Sequence, residues 1–191
     1  MLSFAANLFL LNEGMPFRTI SEGQDTVDFT EGLVQVIIWS KPTAGLKGLN
    51  PVYRFGHVSF VIGDQAYSWQ AHIDPKTGQE DWYVSPANDY IRGKLPDGSH
   101  GTGYYLNFGS REANDKFRSL LLNAYNNFAP DGKRWGYSLT QNNCGDAFKR
   151  AINGMGLQGV ASESAIKPSS HQWFIENVLV PRGIVVAMRQ Y

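Results

Sequence analysis

The chain has 191 residues, of which 42% are hydrophobic and 18% charged, with 17 basic and 17 acidic side chains. This composition favours a single packed domain over residues 1–191 and excludes a disordered chain. The balanced charge, without a run of one sign, argues against nucleic acid as a partner. No apolar run reaches the roughly 18 residues of a membrane span, and the first residues lack a basic start and a cleavage site. We therefore expect a soluble protein made in the cytoplasm without an ordinary export signal.

Apolar runs, turn residues and helical spacing predict the elements in chain order. They are a buried strand at 33–40, a hairpin of strands at 56–62 and 66–71, a short strand at 82–84, a strand at 103–108, a helix from Ser110 to about Phe128, a helix from Cys144 to about Met155, a short helix ending at Val178 and a strand at 183–188. Residues 74–101 are interrupted by prolines and glycines and are expected to wander over the surface. This order predicts an α+β fold with a mainly antiparallel sheet.

Cys144 is the one cysteine of the chain, so neither an intramolecular disulfide nor an all-cysteine metal site can form. It directly follows Asn142 and Asn143, either of which can cap the helix that starts here. Unpaired N–H groups and the positive dipole at a helix start stabilise a thiolate, the form in which cysteine is a nucleophile. A lone cysteine is more often an inert core residue. The case for catalysis therefore depends on a base within reach.

His57 is the candidate base, because it opens a strand that holds its side chain rigidly. Strand alternation places His57, Ser59 and Val61 on one face, and a helix bearing Cys144 that packs on this face would bring the thiol to the imidazole. The other candidates, His100 and His171, are expected to be solvated polar residues.

A third group is needed to orient the imidazole. A two-residue turn at Gly63-Asp64 places His57 opposite Gln70, whereas a turn at Asp64-Gln65 places it opposite His72. Both registers keep Ser68, Gln70 and His72 on the His57 face. Gln70 is the first choice, since its amide oxygen accepts a hydrogen bond without titrating, and His72 is the second.

GHVSFVIGDQAYSWQ over residues 56–70, followed much later by NNCGDAF over 142–148, resembles the circularly permuted branch of the NlpC-like papain-fold hydrolases. That branch includes the lecithin:retinol acyltransferase relatives. As in the permuted branch, the histidine strand comes before the cysteine helix. His57, Gly63-Asp64, Gln70 and Asn143-Cys144 match the family pattern, although the acyltransferase relatives commonly have histidine at the position of Gln70.

The resemblance implies a papain-like fold with an antiparallel sheet packed against the cysteine helix. It also implies acyl transfer to water through Cys144 and His57 without a cofactor. The implied substrates are peptide amides of peptidoglycan or acyl esters and amides of lipids. Since the chain has no disulfide and no export signal, we expect an antibacterial effector that a specialised secretion machine delivers to a cell envelope, with an immunity protein as partner.

Two other functions are compatible with the sequence. The chain can be a non-catalytic binding module that keeps a hydrolase-like fold. Alternatively, His57, His72 and Asp28 can support metal-assisted hydrolysis, although no HxxxH or similar spacing favours it.

Overall fold

The structure, a computed structural model, describes residues 18–20, 30–40, 56–73, 80–94, 100–126, 143–157 and 168–191. Within these ranges, residues 18–20, 70–73, 80–83, 124–126 and 168 are described in their backbone alone. The strands are β1 Arg18–Ile20, β2 Val34–Ser40, β3 His57–Ile62, β4 Gln65–Ile73, β5 Glu80–Pro86, β6 His100–Leu106 and β7 Val185–Gln190. The helices are α1 Ala87–Lys94, α2 Arg111–Asn126, α3 Cys144–Gly154 and α4 Pro168–Phe174, which continues as a π-helical turn over Ile175–Leu179.

All described strands form one sheet in the order β1-β7-β6-β2-β3-β4-β5. Strands β2 to β7 pair antiparallel with their neighbours, and β1 pairs parallel to β7. The α+β class with a mainly antiparallel sheet is thereby confirmed. None of the described helices combines the length and the apolar character that crossing a bilayer requires.

The β3–β4 hairpin has the register with the turn at Gly63-Asp64. Ile62 pairs with Gln65, so the turn is the two residues Gly63-Asp64, and the pairing runs to Ser59 opposite Ser68. Gly63 has a φ of 62°, a left-handed conformation that glycine adopts without a steric penalty.

Side chains of the sheet enter two separate apolar clusters, because alternate residues of a strand point to opposite faces. The helix-side cluster contains Val34, Val36, Ile38, Val58, Phe60, Trp69, Tyr104, Leu106, Phe117, Leu121, Cys144, Ala147, Phe148, Ala151, Ile152, Phe174, Ile175, Leu179, Val180 and Val185. It joins the sheet to α2, α3 and α4. The α1-side cluster contains Ile37, Trp39, Ala66 and Tyr90. Helix α1 therefore covers part of the opposite face.

Helix α1 corrects the expectation that residues 74–101 wander over the surface. Pro86 ends β5, and the chain then turns at once into eight helical residues. Tyr90 is the buried residue of this helix and packs edge-on against Trp39, with the ring centroids 6.0 Å apart. Ala87, Tyr90 and Ile91 pack on the α1-side cluster at helical spacing. This pattern spans only five residues, which is too short for a helix prediction from sequence, so tertiary packing decides the conformation here.

We expect Gly101→Ala to destabilise the fold, because β6 passes directly over the Trp39 ring. A Cβ at Gly101 would lie 2.8 Å from Trp39 Cε3 and 3.1 Å from Ile37 Cγ2, both on buried side chains. The expected loss is about 1–3 kcal/mol in the free energy of unfolding by urea, as for other overpacked cores. Gly93→Ala is the matched control, since a Cβ there meets nothing within 4 Å and alanine favours a helix by up to about 1 kcal/mol. Equal stability of the Gly101→Ala variant and the wild type would contradict this account of the packing.

Candidate active site

Helix α3 begins at Cys144, and its first turn is closed by a reciprocal cap. The Gly145 N–H donates to Asn143 Oδ1 at 2.9 Å, and the Asn143 N–H donates to the Asp146 carboxylate at 2.8 Å. Asn143 is extended, with φ −115° and ψ −179°, as expected of a capping residue. Of the two asparagines considered from the sequence, Asn143 is thus the cap, and it fixes the position of the cysteine.

Cys144 is a buried residue, 7% exposed, and its thiol faces backbone amides. Burial raises the pKa of the thiol to about 11, and Asp146 adds to this rise. The N–H groups of Val58, Gly145 and Cys144 itself act in the opposite direction and lower the pKa, but burial dominates. In the described conformation the sulfur is therefore a protonated thiol at neutral pH.

The His57 imidazole lies partly buried at the start of β3, with Nε2 2.7 Å from Ser68 Oγ. The pKa of the ring is lowered to about 3, chiefly by burial and also by the nearby Lys94 ammonium, which repels the charged form. The ring is therefore neutral at pH 7. Since Nε2 is bound to Ser68, Nδ1 is the nitrogen that is left for another partner.

Cys144 and His57 enter the interior from different sides of β3. Val58 shares the helix-side cluster with Cys144. His57 is bound to Ser68, which lies two residues from the α1-side residue Ala66 along β4 and therefore on the same face. The expectation that α3 packs on the face of His57, Ser59 and Val61 is therefore wrong: it packs on the Val58 face. Alternation in a sequence separates the two faces of a strand but does not say which one the helix covers.

The sulfur nevertheless lies beside the peptide that carries the base. The Val58 N–H, which acts on the sulfur, belongs to the peptide bond that joins His57 to Val58. Among the described contacts, the ring is hydrogen-bonded to Ser68 and the sulfur interacts with backbone N–H groups, and no hydrogen bond joins the two. The sulfur thus lies next to the backbone of His57 and Val58 but has no hydrogen bond to the His57 ring in this conformation.

Ser68 is the residue that sequence analysis did not select as the third group. The Gln70 and His72 side chains lie outside the described residues, so their roles stay predictions. With the observed register, Ser68 is the diagonal neighbour of His57 on the next strand, within reach of an imidazole. Strand alternation alone places Ser68 on the His57 face. It does not favour a diagonal residue over the directly opposite one.

Ser68 belongs to a buried polar network on the α1 side of the sheet. Tyr90 Oη donates to Ser68 Oγ at 3.3 Å, and Trp39 Nε1 donates to Ser59 Oγ at 2.8 Å. Tyr90 is also hydrogen-bonded to Ser59, and burial is the main reason that its pKa rises to about 12. Both serines are fully buried. A line of hydroxyl, indole and imidazole groups thus crosses from β2 through β3 to β4.

His100 and His171 have different surroundings. His100 is exposed, as predicted. His171 is fully buried, which corrects the expectation of a solvated residue, and its ring packs edge-on against Phe148 with the centroids 5.7 Å apart. Its helix turns His171, Phe174 and Ile175 into the core at helical spacing, so this histidine lies on the apolar face.

The described residues around Cys144 and His57 do not form a metal site. Within the ranges that the structure describes, no group of three or more His, Cys, Asp or Glu side chains could hold a metal ion. Asp28 lies outside those ranges, as does the side chain of His72, so the metal-assisted alternative stays a prediction. A cavity of about 710 Å³ lies at the start of α2, between Leu33, Asn107 and Ser110 on one side and Asn114 and Arg118 on the other. It lies away from Cys144.

Comparison of the protein with protein-family models, with curated proteins and with solved structures finds no match. The resemblance to the permuted NlpC-like hydrolases therefore depends on the two short motifs around His57 and Cys144, and family membership stays a prediction.

We expect Cys144 to alkylate slowly at neutral pH and faster with every added pH unit. Only the thiolate reacts, and with a pKa of about 11 the thiolate fraction at pH 7 is about one in ten thousand. The iodoacetamide rate should rise about tenfold per unit up to that pKa. The chain has one cysteine, so the label reports on Cys144 alone. The urea-unfolded chain is the control and should level off near the free-thiol pKa of about 8.5. A plateau of the folded protein by pH 8 would contradict the assignment.

We also expect His57 to make the fold less stable in acid. The unfolded ring binds a proton below its ordinary pKa of 6.5, whereas the folded ring binds one only near pH 3. The unfolded state thus holds more protons between these values, and the free energy of unfolding falls as the pH falls through this window. His57→Gln should lose less stability between pH 7 and pH 4 in urea titrations. Parallel curves for the variant and the wild type would refute this contribution.

Proposed function

We propose that the chain is a cysteine hydrolase of the papain-like, permuted NlpC-like kind, in which Cys144 is the nucleophile and His57 the base. One observation carries the proposal: the sulfur sits at the capped start of α3, against the N–H of the peptide that links His57 to Val58. A helix N-terminus and a neighbouring imidazole are the two features that activate a cysteine.

In this proposal the described conformation is the resting form of the site. The thiol and the imidazole are both neutral, because each is shielded from water. Activation requires the Cys144 side chain to change rotamer so that the sulfur meets Nδ1 of His57. We propose that a substrate entering the site displaces the side chains packed around Cys144 and thereby causes this rotamer change.

The proposed chemistry is acyl transfer to water. Nδ1 of His57 takes the thiol proton, the sulfur attacks the substrate carbonyl carbon, and an S–C bond forms. The backbone N–H of Cys144 helps to hold the oxyanion. The protonated ring then gives its proton to the leaving nitrogen or oxygen as the bond to carbon breaks. Water, deprotonated by His57, finally releases the acid and restores the thiol.

For the substrate we propose peptide amides of peptidoglycan, and for the setting an effector that is delivered to a cell envelope and held in check by an immunity protein. The resemblance of the two motifs supports this class, and it equally implies acyl lipids. The choice between amide and lipid is therefore made an outcome of the experiment.

A binding module without catalysis is the second candidate, and one observation favours it. The described structure has a protonated thiol and a neutral imidazole with no hydrogen bond between them. A module of this kind would bind the same envelope components and leave them intact.

We expect the wild type to release soluble fragments from purified peptidoglycan and to leave phospholipid vesicles unchanged, as followed by mass spectrometry of the products. Cys144→Ala should abolish release, and His57→Gln should reduce it at least about a hundredfold, the usual contribution of a general base. His100→Gln is the matched control, because it removes an exposed imidazole. Release of fatty acid would move the substrate to lipids. Unchanged peptidoglycan and lipid with retained binding would replace the hydrolase by the binding module.

A further inference from the structure

A line of buried polar groups surrounds His57. Buried hydroxyl and ring N–H groups lose their hydration and need hydrogen-bond partners inside the protein, so their presence here suggests a function. Three hydrogen bonds define the line: His57 Nε2 to Ser68 Oγ at 2.7 Å, Tyr90 Oη to Ser68 Oγ at 3.3 Å, and Trp39 Nε1 to Ser59 Oγ at 2.8 Å. An apolar sheet face would need none of these groups. The Tyr90 hydroxyl of this line interacts electrostatically with Cys144.

We propose that Ser68, supported by Tyr90, is the positioning residue that holds the His57 imidazole, the role that the sequence pattern assigned to Gln70. The inference rests on the proposed function and names a residue through which its base acts. Ser68 touches the ring directly, and Tyr90 fixes the Ser68 hydroxyl from the other side.

The chemistry of a hydroxyl suits this position. Ser68 can accept a hydrogen bond from Nε2–H and can equally donate one to an unprotonated Nε2. The base in the proposed reaction takes up and returns a proton at Nδ1, and the partner on Nε2 has to remain bound in both states. Because the proton moves at Nδ1, Nε2 keeps its hydrogen in both states, and the Ser68 oxygen accepts this hydrogen bond throughout.

The position of the pair in the fold makes the contact rigid. Ser59 and Ser68 face each other across the β3–β4 ladder. Ser68 therefore lies diagonally opposite His57, which is two residues from Ser59 along β3. Ser68 is fully buried and Tyr90 is 4% exposed, so water does not compete for the hydroxyl. The α1 helix, which carries Tyr90, thereby contributes to the site from the side of the sheet opposite to α3.

Nitrogen-15 NMR of the imidazole tests the proposal without any substrate. In the wild type we expect His57 to populate one neutral tautomer, with a ring N–H that exchanges slowly with water; His57→Gln identifies its signals among the four histidines. Ser68→Ala should release the ring, giving averaged tautomers and fast exchange, and Ser68→Thr should restore the wild-type signals. Ser85→Ala is the control, because it removes a buried hydroxyl on β5 that has no hydrogen-bond partner among the described residues.

Identical His57 signals in the wild type and in Ser68→Ala would overturn the proposal. If Ser68→Ala does not fold, the wild-type spectrum is sufficient for the test. A wild-type His57 ring with averaged tautomers and a rapidly exchanging N–H would also overturn the proposal. Where the wild type hydrolyses a substrate, Ser68→Ala should lower kcat about tenfold with KM within about twofold, and Ser85→Ala should stay within about twofold of the wild type. A hydrolase whose Ser68→Ala variant keeps full kcat refutes the role of Ser68 alone. A wild type without turnover refutes the hydrolase and leaves the NMR result to judge Ser68.

Discussion

The two-residue period of β3 is the constraint on which the site depends. His57 and Val58 are neighbours in the chain, yet the pleat of the strand directs one side chain to the α1 side and the other to the helix side. The helix-side cluster draws in Val58 and Cys144, while the α1 side holds His57 against Ser68. The peptide between them is the common boundary of two interiors, and the sulfur meets its N–H group. Because the two side chains are buried on opposite faces of β3, each is neutral and neither donates a hydrogen bond to the other.

Much of the fold could be predicted from local pattern. The buried strand β2, the β3–β4 hairpin and the cap at Asn143 each have a signature within about ten residues: an apolar run, a glycine turn, an asparagine before a helix. Helix α1 has only a short signature, because its packing on the sheet depends on Ala87, Tyr90 and Ile91 within five residues. Packing across the sheet, not local propensity, makes that segment helical.

The site was predictable in its residues but not in its arrangement. Motif and order pointed to Cys144 and His57, but no sequence rule decides which face of a strand a distant helix covers. The same limit explains Ser68, since a diagonal contact becomes visible only when register and side-chain direction are both known. It also explains His171, whose polar ring is carried into the core by the apolar stripe around Phe174 and Ile175.

The cover over the sulfur has a consequence for its chemical lifetime. Peroxides and disulfides react with the thiolate of a cysteine, and susceptibility rises with exposure. Cys144 is 7% exposed and keeps its proton to about pH 11. As long as the packing around it is closed, this cysteine is protected from sulfenic acid formation and from mixed disulfides. A protein with one cysteine can therefore pass between reducing and oxidising surroundings with that side chain intact.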